Sequence, residues 1–293
     1  MELIDGAIDM CRLCGGNELI EKFTSNGHKI FKCSDCDMLQ VRELGEYEYL
    51  YGEEYFTNQK YNNVNALNKE HKRRSKLLLK YLNKSATVLD IGCASGEFVD
   101  YAKDTFDIYG CDFAEAAIKV GKERFPHLTD RLYVQSAIHT RERKESYDAV
   151  CMWDVIEHLP YPMQAVSEAL NKVKPSGYIF LSTPYPDALF AKIAGKFWPF
   201  MTPPEHLCFI GKNGMQCIAN TIPNLTLIST KAKGKWANIG FIMYKAKRVI
   251  TWVPNSILKC FQHGVLSKLS LYVPTKDIVY VVFQKDENFK YEQ

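Results

Sequence analysis

Residues 88–98 read Val88-Leu89-Asp90-Ile91-Gly92-Cys93-Ala94-Ser95-Gly96-Glu97-Phe98. An apolar run gives way to small residues and then to the polar opening of a helix. The pattern describes a buried strand, a tight turn and a helix N-terminus. Such a turn brings bare backbone amides, and the positive end of a helix, up to a ligand at the carboxyl end of a sheet. The spacing is neither the Gly-x-Gly-x-x-Gly of a nicotinamide site nor the Gly-Lys-Ser/Thr of a phosphate-gripping loop. Asp112 follows Asp90 by 22 residues, at the end of the next strand. An acid there can accept hydrogen bonds from both ribose hydroxyls of a nucleoside cofactor.

Working outward, apolar strands alternate with helical patterns. Strands are expected at 87–91, 108–111, 132–134, 147–152, 178–182, 225–229 and 278–283, with helices from 97, at 114–124, 163–172 and 213–221. That order implies an α/β, doubly wound and mostly parallel seven-stranded sheet over 85–293, Rossmann-like in kind. A helical insert is expected at about 233–276. Upstream, 43–84 reads as an acidic, tyrosine-rich linker followed by a basic amphipathic helix, with Leu67, His71, Leu78 and Leu82 on its buried side.

Residues 1–42 carry Cys11-Arg12-Leu13-Cys14 and Cys33-Ser34-Asp35-Cys36, two pairs separated by 18 residues. Each Cys-x-x-Cys places both thiolates on one tight turn, and two such turns close a tetrahedron around Zn²⁺. Gly15 supplies backbone freedom after the first pair. The expectation is a small zinc ribbon whose metal is structural, replacing a core that so short a segment cannot build. The plain alternative is four free or disulfide-bonded cysteines. The N-terminus lacks the basic-then-apolar pattern of a secretory signal, and no apolar run is long enough to span a bilayer. A reducing, cytoplasmic setting is therefore expected. A net charge of +3 is too mild to announce a nucleic-acid partner.

Over 85–230 and 278–283 the sequence resembles the class I S-adenosylmethionine-dependent methyltransferases. Their first motif is Asp-x-Gly-x-Gly-x-Gly, against Asp90-Ile91-Gly92-Cys93-Ala94-Ser95-Gly96 here, with Ala94 in place of the middle glycine. The resemblance implies that Asp90, Gly92, Cys93, Ala94 and Gly96 line the methionine and ribose parts of S-adenosylmethionine. It also implies that Asp112 binds ribose and that Phe113 lies against adenine. In the loop after the third strand the family offers an acid to adenine; this chain has Ser136-Ala137-Ile138, leaving a backbone contact at Ala137. Met152 and Trp153, closing the fourth strand, complete the expected cofactor set.

The segment Met152-Trp153-Asp154-Val155-Ile156-Glu157-His158-Leu159-Pro160 resembles the Glu-His-Leu/Val stretch of ubiquinone-type and sugar-modifying methyltransferases. On a helical turn, Asp154, Glu157 and His158 would share one face. His158 would then take a proton from a substrate hydroxyl, or the three groups would hold a divalent ion such as Mg²⁺ that acidifies it. A third reading is that Glu157 and His158 only hydrogen-bond backbone. His206, in the proline- and aromatic-rich run 197–207, is the rival base.

From 207 to 276 there is no Asp or Glu, and lysines recur throughout. This favours a small, anionic or sugar-linked acceptor. O-methylation is expected because the sugar C-methyltransferases that open on a similar ribbon carry a further C-terminal domain, for which this chain has no room. The same basic insert would also suit an anionic membrane surface or a homodimer interface. Three other readings stay open. A sugar C-methyltransferase is one, since the ribbon's Cys11-Arg12-Leu13-Cys14-Gly15 resembles the opening of those proteins. The second is an RNA methyltransferase gripping phosphate with the ribbon and with Lys69-Glu70-His71-Lys72-Arg73-Arg74. The third is a non-catalytic cofactor binder.

Overall fold

The computed structural model describes residues 9–42, 64–138, 145–239 and 270–287. The tyrosine-rich linker, and the part of the expected insert at 240–269, lie outside the described residues.

The strand that opens the sequence argument is the centre of the molecule. β4 (Thr87–Ile91) has Val88, Leu89 and Ile91 buried, and it is flanked in parallel by β5 (Asp107–Asp112) and β7 (Tyr147–Trp153). A strand buried on both faces is mostly apolar, which is why Val88, Leu89 and Ile91 read as a run rather than an alternation, broken only by the buried Asp90. The seven-stranded sheet runs β10-β11-β8-β7-β4-β5-β6. Its remaining strands are β6 (Leu132–Val134), β8 (Val173–Pro184), β10 (Leu225–Asn238) and β11 (Ser270–Lys285). Among them β11 runs antiparallel to both neighbours. The helices are α1 (Val64–Leu78), α2 (Glu97–Ala102), α3 (Glu115–Arg124), α4 (Pro162–Lys172), α5 (Leu189–Ala194) and α6 (Lys212–Thr221). The chain leaves β4 toward β5 and β6 and then returns to its other side with β7. The crevice between the carboxyl ends of β4 and β7 is thus the switch point where open α/β sheets bind ligands.

The described ends of the expected helical insert, 233–238 and 270–276, are strand rather than helix. Residues 233–238 and 270–276 continue β10 and β11, paired from Lys233↔Ile278 to Asn238↔Ser270 with a bulge between Lys233 and Lys235. The physical reason lies in the sequence: Lys231, Lys233 and Lys235 alternate with smaller or apolar residues, the two-residue period of a strand.

The ribbon is not an island. Its strands β1 (Leu19–Ser25), β2 (His28–Cys33) and β3 (Leu39–Val41) form an antiparallel sheet. That sheet is completed by β9 (Cys208–Phe209), which pairs Leu39↔Phe209 and Gln40↔Cys208. Cys11, Leu13, Cys33, Cys36 and Met38 share one buried cluster with Ile210, Met215 and Ile218 of the larger unit.

Among the described residues, no helix is long and apolar enough to cross a membrane.

Candidate active site

The turn after β4 is strained by design. Gly92, Ala94 and Gly96 all have positive φ, at 73°, 50° and 83°. This left-handed backbone favours glycine, so Ala94 carries a steric cost of ~1 kcal/mol that a glycine would not. Gly92 also lacks room, since a Cβ there would lie 2.4 Å from Val155 Cγ2. The turn is pinned by Gly92 N–H and Cys93 N–H donating to the Cys111 carbonyl.

Asp112 closes the same turn from β5. Its Oδ2 accepts the Ala94 N–H and its Oδ1 the Ala114 N–H, both at 2.9 Å. The Asp112 carboxyl is buried, which pushes its pKa up against the pull of these amides. The next residue, Phe113, is a large apolar side chain left exposed at 44%. It sits where the resemblance places adenine. Ala137 is buried at the end of β6, while Met152 and Trp153 are buried at the end of β7.

Three buried polar atoms around this crevice have no hydrogen-bond partner among the described residues: Asp90 Oδ1, Trp153 Nε1 and Arg74 Nε. Arg74 comes from α1, with its guanidinium 5.4 Å over the Trp153 ring and Nη2 2.6 Å from Asp154 Oδ2. Burial raises the Asp90 pKa to about 8, against the attraction of Arg74. Unmet donors and acceptors in a dry site are costly, so these atoms fit a ligand that brings its own charged groups. Arg74 was visible in the sequence only as part of a basic stretch. The signal that could have found it is helical spacing, because it sits three residues after the buried His71, which packs 5.7 Å from the Phe98 ring.

The acceptor side begins where β7 ends. Asp154 has φ 58°, and the expected helical turn starts only afterwards, as a 3-10 turn over Ile156–His158. Asp154 is thereby turned toward Arg74 and toward Ser182, whose Oγ donates to its Oδ1 at 2.9 Å. Glu157 and His158 are instead joined by His206, with ligand-type atoms of all three within 4.8 Å of one another. The two imidazoles meet edge to face at 4.7 Å, and Phe200 stacks on His206. His158 Nδ1 lies 2.8 Å from the Glu205 carbonyl and His206 Nδ1 2.7 Å from the Phe200 carbonyl. A carbonyl only accepts, so each neutral ring carries its proton on Nδ1 and presents Nε2 as the basic nitrogen. Burial holds the His158 pKa below its usual value. Burial raises Glu157 well above the carboxylate range, with Thr183 Oγ1 donating to its Oε2. Thr183 carries no signal in the sequence, whereas Phe200 belongs to the aromatic run at 197–207 and Lys235 to the recurring lysines. Lys235 Nζ stands 4.3 Å over the Phe200 ring, and burial lowers its pKa while Asp154 opposes that shift.

The ribbon holds this edge by backbone. Leu207 donates to the Glu157 carbonyl and accepts from Val41, and the hairpin-tip Asn26 side chain donates to the Pro203 carbonyl. In the ribbon itself Cys11 Sγ lies 3.5 Å from Cys36 Sγ, and Cys14 Sγ 3.5 Å from Cys33 Sγ. Zn–S bonds of ~2.3 Å set tetrahedral sulfurs about 3.8 Å apart, so the four thiols fit that ion.

These geometries agree with what the chain is similar to. The profile of the family described as "Methyltransferase domain" matches residues 64–218. A mitochondrial ubiquinone biosynthesis O-methyltransferase from Candida albicans is 37% identical over 111 residues, covering 34% of this chain and 33% of that one. The Aliivibrio fischeri ubiquinone biosynthesis O-methyltransferase is 34% identical over 100 residues, covering 33% and 43%. The chain thus spans less than half the length of these curated relatives. In fold it is similar to an S-adenosylmethionine-dependent methyltransferase from Archaeoglobus fulgidus, with TM-score 0.50, 21% identity and coverage of 82% of this chain and 100% of that one. It is also similar to the YcgJ protein of Bacillus subtilis, with TM-score 0.54, 14% identity and coverage of 75% and 100%. A profile match over more than half of the sequence, on a seven-stranded sheet with a ligand-ready switch point, decides the family: this chain belongs to the methyltransferase domain family.

Proposed function

We propose that the protein transfers a methyl group from S-adenosylmethionine to a hydroxyl oxygen of a small, anionic or sugar-linked acceptor. The observation that carries the reading is the pairing of two half-sites across one switch point. On one side are unmet buried atoms of Asp90, Trp153 and Arg74; on the other are the imidazoles of His158 and His206. Bound S-adenosylmethionine supplies a methyl group already made electrophilic by a sulfonium. Arg74 would meet its carboxylate, Asp90 its ammonium and Asp112 its ribose hydroxyls, with Phe113 against adenine. The remaining work for the protein is to align the acceptor oxygen and take one proton. Nε2 of His158 or of His206 would take that proton, and Lys235 would meet the acceptor's negative charge.

A second reading is favoured by one observation, the convergence of Glu157, His158 and His206 within 4.8 Å. These residues would hold a divalent ion such as Mg²⁺, which would acidify the hydroxyl. Cys11, Cys14, Cys33 and Cys36 would hold the structural Zn²⁺. Free thiols throughout the described residues suit a reducing compartment, and the cytoplasm remains the proposed location. The RNA reading is weakened because three of the five cations of α1 are engaged internally, although Lys72 and Lys76 are exposed. Arg73 donates to the Gly234 carbonyl, Lys69 lies over Trp236, and Arg74 pairs with Asp154.

Labelled cofactor offered with nucleotide sugars, glycans, phenols and RNA tests the proposal. Label in a hydroxyl-bearing small molecule is expected; label in RNA alone would overturn it. A chelator that abolishes turnover, restored by Mg²⁺ or Mn²⁺, would select the metal version.

A further inference from the structure

Helix α5 is built inside out. Its small residues point inward: Ala188 and Ala191 are 6% and 5% exposed and belong to the cluster around Trp198, Met201 and Phe209. Of its three large apolar residues, Phe190 packs partly buried against that cluster, whereas Leu189 and Ile193 point outward at 74% and 77% exposure. These two stand four residues apart, on one helical face. Phe197, 50% exposed, ends the 3-10 turn that follows over Gly195–Phe197. A helix folding only for its own core would bury leucine and isoleucine and expose alanine. Lone exposed apolar residues need no explanation, but three in sequence along one short element make a patch.

The charges around the patch are mainly basic, with one acid, Asp187, beside it. Lys192 and Lys196 interleave with the three apolar residues, and the Lys192 side chain is 61% exposed beside Asp187. Between Ala188 and Lys276 the sequence contains a single acidic residue, Glu205. Apolar side chains flanked by lysines complement a surface that is apolar within and anionic at its rim.

We propose that α5 and the turn after it form a peripheral membrane-docking face. Leu189, Ile193 and Phe197 enter the headgroup boundary of an anionic bilayer, and Lys192 and Lys196 meet lipid phosphates. The same segment runs through the buried Trp198 and Met201 to His206, so docking sets the acceptor side of the site beside the lipid. The proposal concerns this surface alone and stands whichever acceptor is methylated.

Co-sedimentation of the full chain with phosphatidylcholine vesicles, and with mixed phosphatidylcholine–phosphatidylglycerol vesicles, tests it. Binding to the mixed vesicles is expected, weaker in high salt and far weaker on phosphatidylcholine alone. The double variant Ile193→Ser/Phe197→Ser removes only exposed side chains and should lower binding by about tenfold or more. Lys192→Gln should lower it by about fivefold. Failure of the wild type to bind mixed vesicles would overturn the proposal, as would undiminished binding by the double variant. Analytical ultracentrifugation adds a further outcome. A dimer broken by Ile193→Ser/Phe197→Ser, without vesicle binding, would make this face a subunit interface and refute the lipid assignment.

Discussion

The two halves of the proposed site, the cofactor crevice and the acceptor edge, are made in opposite ways. The cofactor crevice comes almost entirely from one contiguous stretch, 88–98, closed by Asp112 from the neighbouring strand and by Arg74 from α1. The acceptor edge is collected from far apart. Glu157 and His158 follow β7, Thr183 ends β8, Phe200 and His206 ride an irregular loop, Lys235 comes from β10, and Val41 of the ribbon holds the backbone. A half-site made by local backbone geometry should fail through backbone substitutions. One assembled from distant segments should fail when a supporting segment is loosened.

The largest expected effect falls on the local half. Gly92→Val combines positive φ with a Cβ 2.4 Å from Val155. It should cost about 3 kcal/mol or more and leave no measurable S-adenosylmethionine binding. Thermal melting and calorimetry check this together, and a variant that melts and binds like the wild type would break the comparison.

On the distant half, His158→Ala and His206→Ala should each lower turnover while leaving cofactor affinity nearly intact. The variant that removes the base should fall by about a hundredfold or more, and the other by less. Full activity in both would separate the two histidines from the chemistry.

Removing the proposed Zn²⁺ from the ribbon sharpens the contrast further. Loss of the thiolate cluster should free β3 and, through it, β9. Hydrogen exchange is expected to speed by at least about tenfold at Cys208 and Phe209 while β4 stays protected. Exchange confined to residues 9–42 would mean that the ribbon does not support the acceptor edge.

How much of this the sequence disclosed follows the same division. The strand–turn–helix at 88–98 and the acid at Asp112 were legible because short-range sterics and burial determine them. The grouping of Glu157, His158 and His206 was not, since it depends on where a loop falls after 47 residues of intervening chain. A helical periodicity put Asp154 beside them, but its positive φ turns it to Arg74 and Ser182. The ribbon was legible from cysteine spacing, whereas its union with β9 was hidden because Cys208-Phe209 is too short to announce a strand. The long β10–β11 extension was readable from the alternating lysines and was masked by the apolar residues that follow.

Two smaller effects probe the frame around the crevice. His71 is buried neutral, with its pKa lowered from 6.5 to about 3 by burial and by Arg74. The unfolded chain binds the proton first. Stability is therefore full above about pH 6.5 and falls as pH drops toward 3, by up to ~1.4 kcal/mol per pH unit from this group. Acid-limb melting curves should flatten in His71→Leu. Smallest of all, Ala94→Gly relieves a left-handed alanine at φ 50°. With the glycine's extra unfolded-state entropy set against that relief, the net gain should be small, up to about 0.5 kcal/mol. A destabilised variant would mean that the alanine methyl is packed rather than strained.

The most direct measurement is calorimetric titration of S-adenosylmethionine into the wild type and into Asp112→Ala. One site per chain is expected. The variant should lose ribose contacts and the brace on the Ala94 amide, weakening affinity by roughly ten- to a hundredfold. No binding by the wild type, or equal affinity in the two proteins, would contradict the placement of the cofactor at the β4–β7 switch point.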